Sequence, residues 1–203
     1  KLRSRLLDTL TTSTKSADPM PRLMQNSVRQ MSRVNWTSLH ARDAFWQVVL
    51  ACLNVVFFAE VLFTGRTFFV RDVSTFHYPL KKLVTEAYAR GEWPLWNPYV
   101  QMGQPLLANP NCMAFYPGQL LFQVLPFETA FELHFVLHCI LAGVGAFRLA
   151  RTLGLSLQAA FLSGVIYNFS GLTLSAVNLF NILPVVAFLP WLSTASLWLV
   201  SRP

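Results

Sequence analysis

Four segments of the chain are long, apolar and almost free of charge, and this feature limits the fold more than any other. The first, Phe45–Phe63, has 19 residues and one ionisable side chain, Glu60. A helix of this length, at about 1.5 Å per residue, is close to the ~30 Å hydrocarbon core of a bilayer. The other three segments are Phe131–Phe147, Leu157–Val177 and Ile182–Val200. The sequence therefore predicts an all-α integral membrane protein with about four transmembrane helices.

Composition supports this class. Hydrophobic residues make up 54% of the 203 residues and charged residues 12%, against about 25% charged residues in soluble domains. The predicted organisation is a basic arm over residues 1–44, a first transmembrane helix over 45–64, a large loop over 65–130, and three further helices over 131–203. We use the name large loop for residues 65–130 throughout.

The distribution of charge predicts the orientation. The formal net charge is +7, and residues 1–44 contain eight of the sixteen Lys and Arg residues. Positive residues flank membrane helices on the cytoplasmic side, so both termini are expected in the cytoplasm and the large loop outside. The arm is interpreted as a segment lying near anionic membrane lipids. Binding of nucleic acid is not indicated, because no folded module or interleaved aromatic residues accompany the charge.

The three cysteines, Cys52, Cys112 and Cys139, have no metal-binding spacing. Two of them lie in apolar segments, so Cys112 has no cysteine partner in the large loop and no disulfide is expected there. Four helices without an inverted repeat or a series of embedded charges also argue against a transporter or channel.

The large loop begins with an amphipathic pattern that predicts a surface helix over Ser74–Arg90, with Gly91 as its stop signal. The segment is too charged to cross a bilayer. An interfacial helix is expected instead, with four charged side chains directed toward water: Lys81, Lys82, Glu86 and Arg90.

The rest of the large loop is rich in proline, glycine and aromatic residues, which excludes a continuous regular element. Trp93, Trp96, Tyr99 and Tyr116 suit the headgroup layer of a membrane. Two interpretations are open: an aromatic belt that anchors the loop, or a rigid platform beside a lipid-borne substrate.

Several unusual turn motifs follow one another in a fixed order. They are an acidic residue at Asp72, HYP from His77, GEWPLWNPY from Gly91, GQPLLAN from Gly103 and FYP from Phe115. This series resembles the first outer loop of YfhO-type bacterial membrane proteins, which are similar to the GT-C glycosyltransferases that use polyprenyl-phosphate sugars. The resemblance continues through LAGVGAFRLAR and YNFSG and covers about residues 60–200.

The resemblance implies an enzyme of the bacterial cytoplasmic membrane that transfers a sugar from a polyprenyl phosphate at the outer face. Asp72 matches the acidic residue of the family's active site, where a carboxylate serves as general base or as ligand of a divalent metal ion. A helix N-cap is the alternative role for Asp72. The expected substrate-binding residues are Arg71, His77, Lys81 and Lys82, which offer positive charge to a phosphate, and Trp96, Asn97 and Tyr116.

Members of the family are several-fold longer, so the chain is expected to be the opening part of such an enzyme or a truncated relative without catalysis. The alternative function is that of a structural or accessory subunit in a larger membrane complex. His134 and His138 are four residues apart and share one helix face, next to Glu132. Such a pair suits hydrogen bonds between helices, or ligation of a metal, a haem or a chlorophyll-type pigment.

Overall fold

A computed structural model describes residues 41–65, 68 and 72–201. Most of the predicted basic arm, up to residue 40, lies outside the described residues. Within them, three helices are long and apolar enough to cross a membrane: Phe127–Thr152, Leu157–Ala176 and Leu183–Val200. The prediction of a mostly helical protein is confirmed, and three of the expected apolar segments form helices long enough to cross a membrane.

The first apolar segment forms two consecutive helices rather than one. Helix α1 spans Ala41–Phe57 and helix α2 spans Ala59–Thr64, with Phe58 between them. Gly65 follows α2 with a positive φ of 70°, a conformation that glycine adopts without steric cost. Because Phe58 is buried in the core, the interruption coincides with a packing contact, which a hydropathy pattern does not reveal.

The remaining long helices pack around one central helix, α5, which spans Phe127–Thr152. It is followed by α6 (Leu157–Asn168) and α7 (Gly171–Ala176), which together make up the candidate span Leu157–Ala176, and by α8 (Leu183–Ser201). Helix α5 contacts α8, α6 and α1. Its candidate span is 72% buried, whereas the other two candidate spans are each 28% buried. The short connection after α5 makes α6 its neighbour, as predicted, whereas α8 packs mainly on α5 rather than on α6.

Two pairs of residues bring the helices close together. Gly143 of α5 and Gly164 of α6 face each other, so their backbones approach closely. Asn168 of α6 donates a hydrogen bond from Nδ2 to Oδ1 of Asn54 on α1, at 2.8 Å, and both side chains are buried. Small residues therefore permit the contact between α5 and α6, and paired amides join α6 to α1.

Replacing Gly164 with alanine is expected to destabilise the helix bundle by about 1–3 kcal/mol, as overpacking of a filled core does. A Cβ atom there would lie 2.8 Å from Cδ1 of Leu50 and 2.9 Å from the carbonyl oxygen of Gly143, and this oxygen belongs to a helix backbone. The free energy of unfolding in an SDS titration would measure the effect. Gly171→Ala is the matched control, because nothing lies within 4 Å of its added Cβ. Equal stabilities of the two variants would contradict the prediction.

One end of the bundle gathers charged residues. Asp43 near the start of α1 forms an ion pair with Arg151 near the end of α5, with an N···O distance of 3.3 Å. Arg148 donates to Gln47 at 3.3 Å and lies over the Trp191 ring at 5.4 Å. The start of α1 and the end of α5 therefore lie on the same side of the bundle.

The large loop folds against the other end. Its first described element is a π-helical turn, Val73–His77, which continues into helix α3, Tyr78–Ala89. We call Val73–Ala89 the loop helix. The rest consists of short elements: β1 (Trp96–Asn97), antiparallel β2 (Gln104–Pro105), two 3-10 turns (Pro110–Cys112 and Pro117–Leu120), and helix α4 (Leu121–Val124).

The predicted surface helix is confirmed in position, and Gly91 follows it with a φ of 72°. Lys82, Glu86 and Arg90 are exposed, as predicted. The prediction that Lys81 faces water is wrong, because only 2% of its surface is exposed. The loop helix packs between the bundle and the remainder of the loop, so a position that would face water on an isolated amphipathic helix is covered by other loop segments.

Candidate functional site

The π-helical turn at the start of the loop helix has a local cause in the sequence. Pro79 has no backbone N–H to donate to the carbonyl of Thr75, and its ring would crowd that carbonyl in a regular α-helix. The wider turn over Val73–His77 ends two residues before this proline. It buries both Val73 and His77. Such turns are frequent at functional sites.

Lys81 is the most deeply buried cation of the described residues. Its Nζ donates to the carbonyl oxygens of Cys112 at 3.5 Å and Met113 at 3.4 Å. It also lies over two aromatic rings, with Nζ 5.0 Å from the centre of Phe122 and 5.6 Å from that of Phe180. Burial lowers the pKa of Lys81 from 10.5 to about 8, and the nearby Cys112 acts in the opposite direction.

The two histidines of α5 occupy the same region. His134 donates from Nε2 to the carbonyl oxygen of Phe180 at 3.1 Å, and its ring stacks on the Phe180 ring with centroids 3.8 Å apart. His138 contacts the carbonyl oxygen of His134 through Nδ1 and the hydroxyl of Tyr116 through Nε2. The carbonyl accepts only from a protonated Nδ1, so Nε2 of neutral His138 accepts from Tyr116. Both imidazoles are thus fixed in single tautomers by contacts within the chain.

Three buried polar atoms in this region have no hydrogen-bond partner within the described part of the chain: Nδ1 of His77, Nδ1 of His134 and Oε1 of Gln119. Buried polar atoms of this kind are usually satisfied by ordered water or by a ligand. Burial lowers the pKa of His77, and Asp72 acts against this effect. We refer to His77, Lys81, His134 and His138 as the buried basic cluster.

Asp72 lies at the N-terminal end of the loop helix, and its side chain is exposed. It makes no capping hydrogen bond to the helix, so the alternative N-cap role is not observed. Its electrostatic influence reaches His77. Asp72 is therefore a solvent-accessible carboxylate at the edge of the buried basic cluster.

The other predicted substrate-binding residues lie in different places. Tyr116 contacts the buried basic cluster through His138. Lys82 and Asn97 line a groove of about 270 Å³ between the loop helix and the β1–β2 hairpin. Trp96 is exposed, with its indole against Gly103, where a Cβ atom would collide with it. Arg71 lies outside the described residues.

The metal or pigment that the sequence suggested stays a prediction. Among residues 41–65, 68 and 72–201, no three His, Cys, Asp or Glu side chains are grouped to hold a metal ion. Both ring nitrogens of His138 have partners within the chain, and the ring of His134 is covered by Phe180. The contacts of the histidine pair join α5 to the large loop and to the connection from α7 to α8.

The pKa of Lys81 predicts a pH dependence of stability. Between pH 8 and 10.5 the unfolded chain binds a proton at this lysine that the folded protein has largely released. The free energy of unfolding should therefore rise with pH over this range, by up to roughly 3 kcal/mol, and stay at its lower level below pH 8. Melting temperatures of the wild type and of Lys81→Met are measured from pH 7 to 10.5. The melting temperature of the wild type should rise relative to that of the variant above pH 8.

Lys82→Met is the matched control, because Lys82 is the adjacent lysine and is exposed. Its melting curve should follow that of the wild type at every pH. Parallel pH profiles for the wild type and Lys81→Met would contradict the assignment of the pH dependence to Lys81.

Some central residues were not identified from the sequence. Phe180 touches both His134 and Lys81, and Gln119 donates to Thr85 of the loop helix at 3.5 Å. A phenylalanine in an apolar stretch and a glutamine in a turn carry no local signal of such contacts. Their positions depend on how the large loop folds back onto α5.

Comparisons of the chain with known protein families, with curated proteins and with solved structures found no match. No relative therefore assigns an activity to the buried basic cluster or to the groove. The resemblance of the large loop to YfhO-type proteins stays a prediction that rests on the residues carrying it.

Proposed function

We propose that this chain is a GT-C-like membrane protein of the YfhO type, which handles a polyprenyl-phosphate-linked sugar at the outer face of the bacterial cytoplasmic membrane. One observation carries the proposal. The exposed carboxylate of Asp72 begins a helix whose buried face bears His77 and Lys81. A proton acceptor and basic groups thus lie on one element beside helices long enough to cross a membrane.

In this proposal, α1 and α2 together form a fourth span. Large apolar side chains on their outer surface are exposed, including Phe45, Val56 and Phe63, which suits contact with lipid tails. Arg42, Arg148 and Arg151 belong to the end of the bundle opposite the large loop. The positive-inside rule therefore supports cytoplasmic termini and an extracytoplasmic loop.

The proposed reaction is an inverting transfer. A hydroxyl oxygen of the acceptor forms a bond to C1 of the donor sugar, and the bond between C1 and the phosphate oxygen breaks. The polyprenyl phosphate leaves with the electron pair, and the hydroxyl proton passes to the carboxylate of Asp72. Lys81 favours the phosphate electrostatically.

A second function has a specific observation in its favour. His138 uses both ring nitrogens, and Lys81 uses two carbonyls and two rings, in contacts within the chain. Groups occupied in this way suit a non-catalytic role as a structural or accessory subunit of a larger membrane complex. The partners in that case are other membrane proteins rather than a lipid-linked sugar.

One experiment separates the two functions. The full-length protein is extracted from its own membrane in mild detergent and analysed by native mass spectrometry. Vesicles from cells with and without the protein are then assayed for transfer of labelled sugar from polyprenyl phosphate. We expect retained polyprenyl phosphate and protein-dependent transfer. Recovery only with other subunits, without the lipid and without transfer, would replace the enzymatic proposal by the structural one.

A further inference from the structure

The groove between the loop helix and the β1–β2 hairpin has a mixed lining. One wall is the loop helix, with Phe76, Lys82 and Glu86, and the opposite wall includes Asn97 and Gln104. Its volume of about 270 Å³ is close to the lower end of the range for small-molecule sites, roughly 300–1,000 Å³. The groove is therefore large enough for a compact polar ligand and too small for a folded partner.

The walls of the groove are fixed before any ligand binds. The buried Asn97 accepts a hydrogen bond at Oδ1 from the backbone N–H of Tyr99, at 3.0 Å. Leu106 donates its N–H to the carbonyl of Leu95 at 2.8 Å, which closes the base of the hairpin. Leu106 also packs in one buried cluster with Leu80 and Val84 of the loop helix. Little ordering is needed on binding, which favours affinity.

The tip of the hairpin holds an unusual backbone conformation. Gln101 and Met102 have φ values of 49° and 62°, in the left-handed region that non-glycine residues rarely adopt. Gly103 follows with φ 110°, and its lack of a Cβ lets the Trp96 indole lie against it. Conformations of this kind persist where the surrounding structure enforces them, and they are frequent at binding sites.

The chemistry of the lining selects a class of ligand. Asn97, Gln104 and Asn109 supply amide groups. Oδ1 of each asparagine accepts a backbone N–H and Nε2 of Gln104 donates to Gln101, so a ligand is offered the Nδ2 donors of the asparagines and the Oε1 acceptor of Gln104. Lys82 adds donors and Glu86 adds acceptors, while the ring of Tyr99 offers an apolar face that is largely exposed. An apolar ligand would leave these donors and this acceptor without partners, and the paired presence of Lys82 and Glu86 leaves no net charge to select an ion. Sugars present alternating hydroxyl donors and acceptors together with apolar C–H faces, which match this lining.

We propose that this groove binds a saccharide and holds the acceptor sugar of the transfer reaction. The assignment of this saccharide as the acceptor sugar rests on the proposed function. Thr75 and Phe76, which line the groove, lie about one turn along the helix from Asp72. An acceptor sugar along the groove would therefore extend toward the carboxylate that takes the proton from its hydroxyl.

Saturation-transfer NMR tests the site on the full-length protein in lipid nanodiscs. The probes are the methyl glycosides of glucose, galactose, mannose and N-acetylglucosamine, each added separately in solution. We expect saturation transfer to at least one of them. In Gln104→Ala and in Tyr99→Ala the binding of that glycoside should be about five- to tenfold weaker, because each loses one contact.

Matched controls lie on the same loop outside the groove. Gln123→Ala removes an exposed amide and Trp93→Ala an exposed aromatic ring, and both should bind the glycoside as the wild type does. The saccharide site is overturned if none of the four glycosides receives saturation from the wild type. It is also overturned if the two groove variants bind as strongly as the controls.

The assay of Asp72→Asn separates failure of this inference from failure of the proposed function. Transfer that depends on Asp72, without binding of any glycoside, overturns the saccharide site in the groove and leaves the proposed function standing. Glycoside binding that depends on Gln104, with undiminished transfer in Asp72→Asn, supports the saccharide site and overturns the catalytic role of Asp72. Loss of transfer in Asp72→Asn and weaker binding in Gln104→Ala support both.

Discussion

Replacing Asp72 with asparagine is expected to lower the rate of sugar transfer by about 10²- to 10⁴-fold, the range for loss of a general base. Asparagine keeps the size of the side chain but cannot take the proton of the acceptor hydroxyl. Because Asp72 is exposed and makes no capping hydrogen bond, the variant should fold as the wild type does. The measurement is the initial rate of transfer of labelled sugar from polyprenyl phosphate in membrane vesicles.

The matched control for this variant is Glu92→Gln. Glu92 is an exposed carboxylate of the same loop, paired with Arg90 at 3.0 Å, and it lies away from the start of the loop helix. Its loss should leave the transfer rate within about twofold of the wild type, as expected for an exposed ion pair that contributes little. Equal transfer rates for Asp72→Asn and Glu92→Gln would contradict a catalytic role for Asp72.

Replacing Phe180 with alanine is expected to destabilise the protein by about 3–5 kcal/mol, as loss of a buried phenylalanine does. Phe180 is 1% exposed and stacks with both His134 and Phe131, with ring centroids at 3.8 Å and 5.2 Å. The backbone carbonyl of Phe180 also accepts a hydrogen bond from His134. Unfolding by SDS, followed by tryptophan fluorescence, would give the free energy difference.

The same substitution should also admit water to Lys81, whose Nζ lies 5.6 Å from the Phe180 ring. With less burial, the pKa of Lys81 returns toward its ordinary value, and the rise of stability above pH 8 becomes smaller. Phe115→Ala is the control, because Phe115 belongs to the same loop and is 72% exposed. A Phe180→Ala variant as stable as Phe115→Ala would contradict the central packing role of Phe180.

Several features of the fold could be predicted from the sequence because their causes are local. Hydropathy identified Leu157–Val177 and Ile182–Val200 within a few residues of the observed helices. Amphipathic spacing and the stop signal at Gly91 predicted the loop helix, since these signals act within a few turns of the chain.

The candidate site was predicted only in part. Sequence reasoning named His77, Lys81 and Tyr116 separately, and the structure brings them near His134 and His138. It could not tell that Lys82, next to Lys81, belongs to a different surface and lines the groove. A helix turn directs adjacent side chains to different sides, and the choice of buried side depends on what packs there.

The sequence by itself determined which segments are apolar enough to cross a membrane and where a helix must stop, because each property is a sum over neighbouring residues. Only the tertiary structure decided that Phe58 interrupts the first apolar segment, that Lys81 is buried, and that Phe180 lies at the centre of the aromatic contacts. These outcomes depend on contacts between residues far apart in the chain. The energy of such a contact depends on how two surfaces fit together, and no stretch of sequence contains both surfaces.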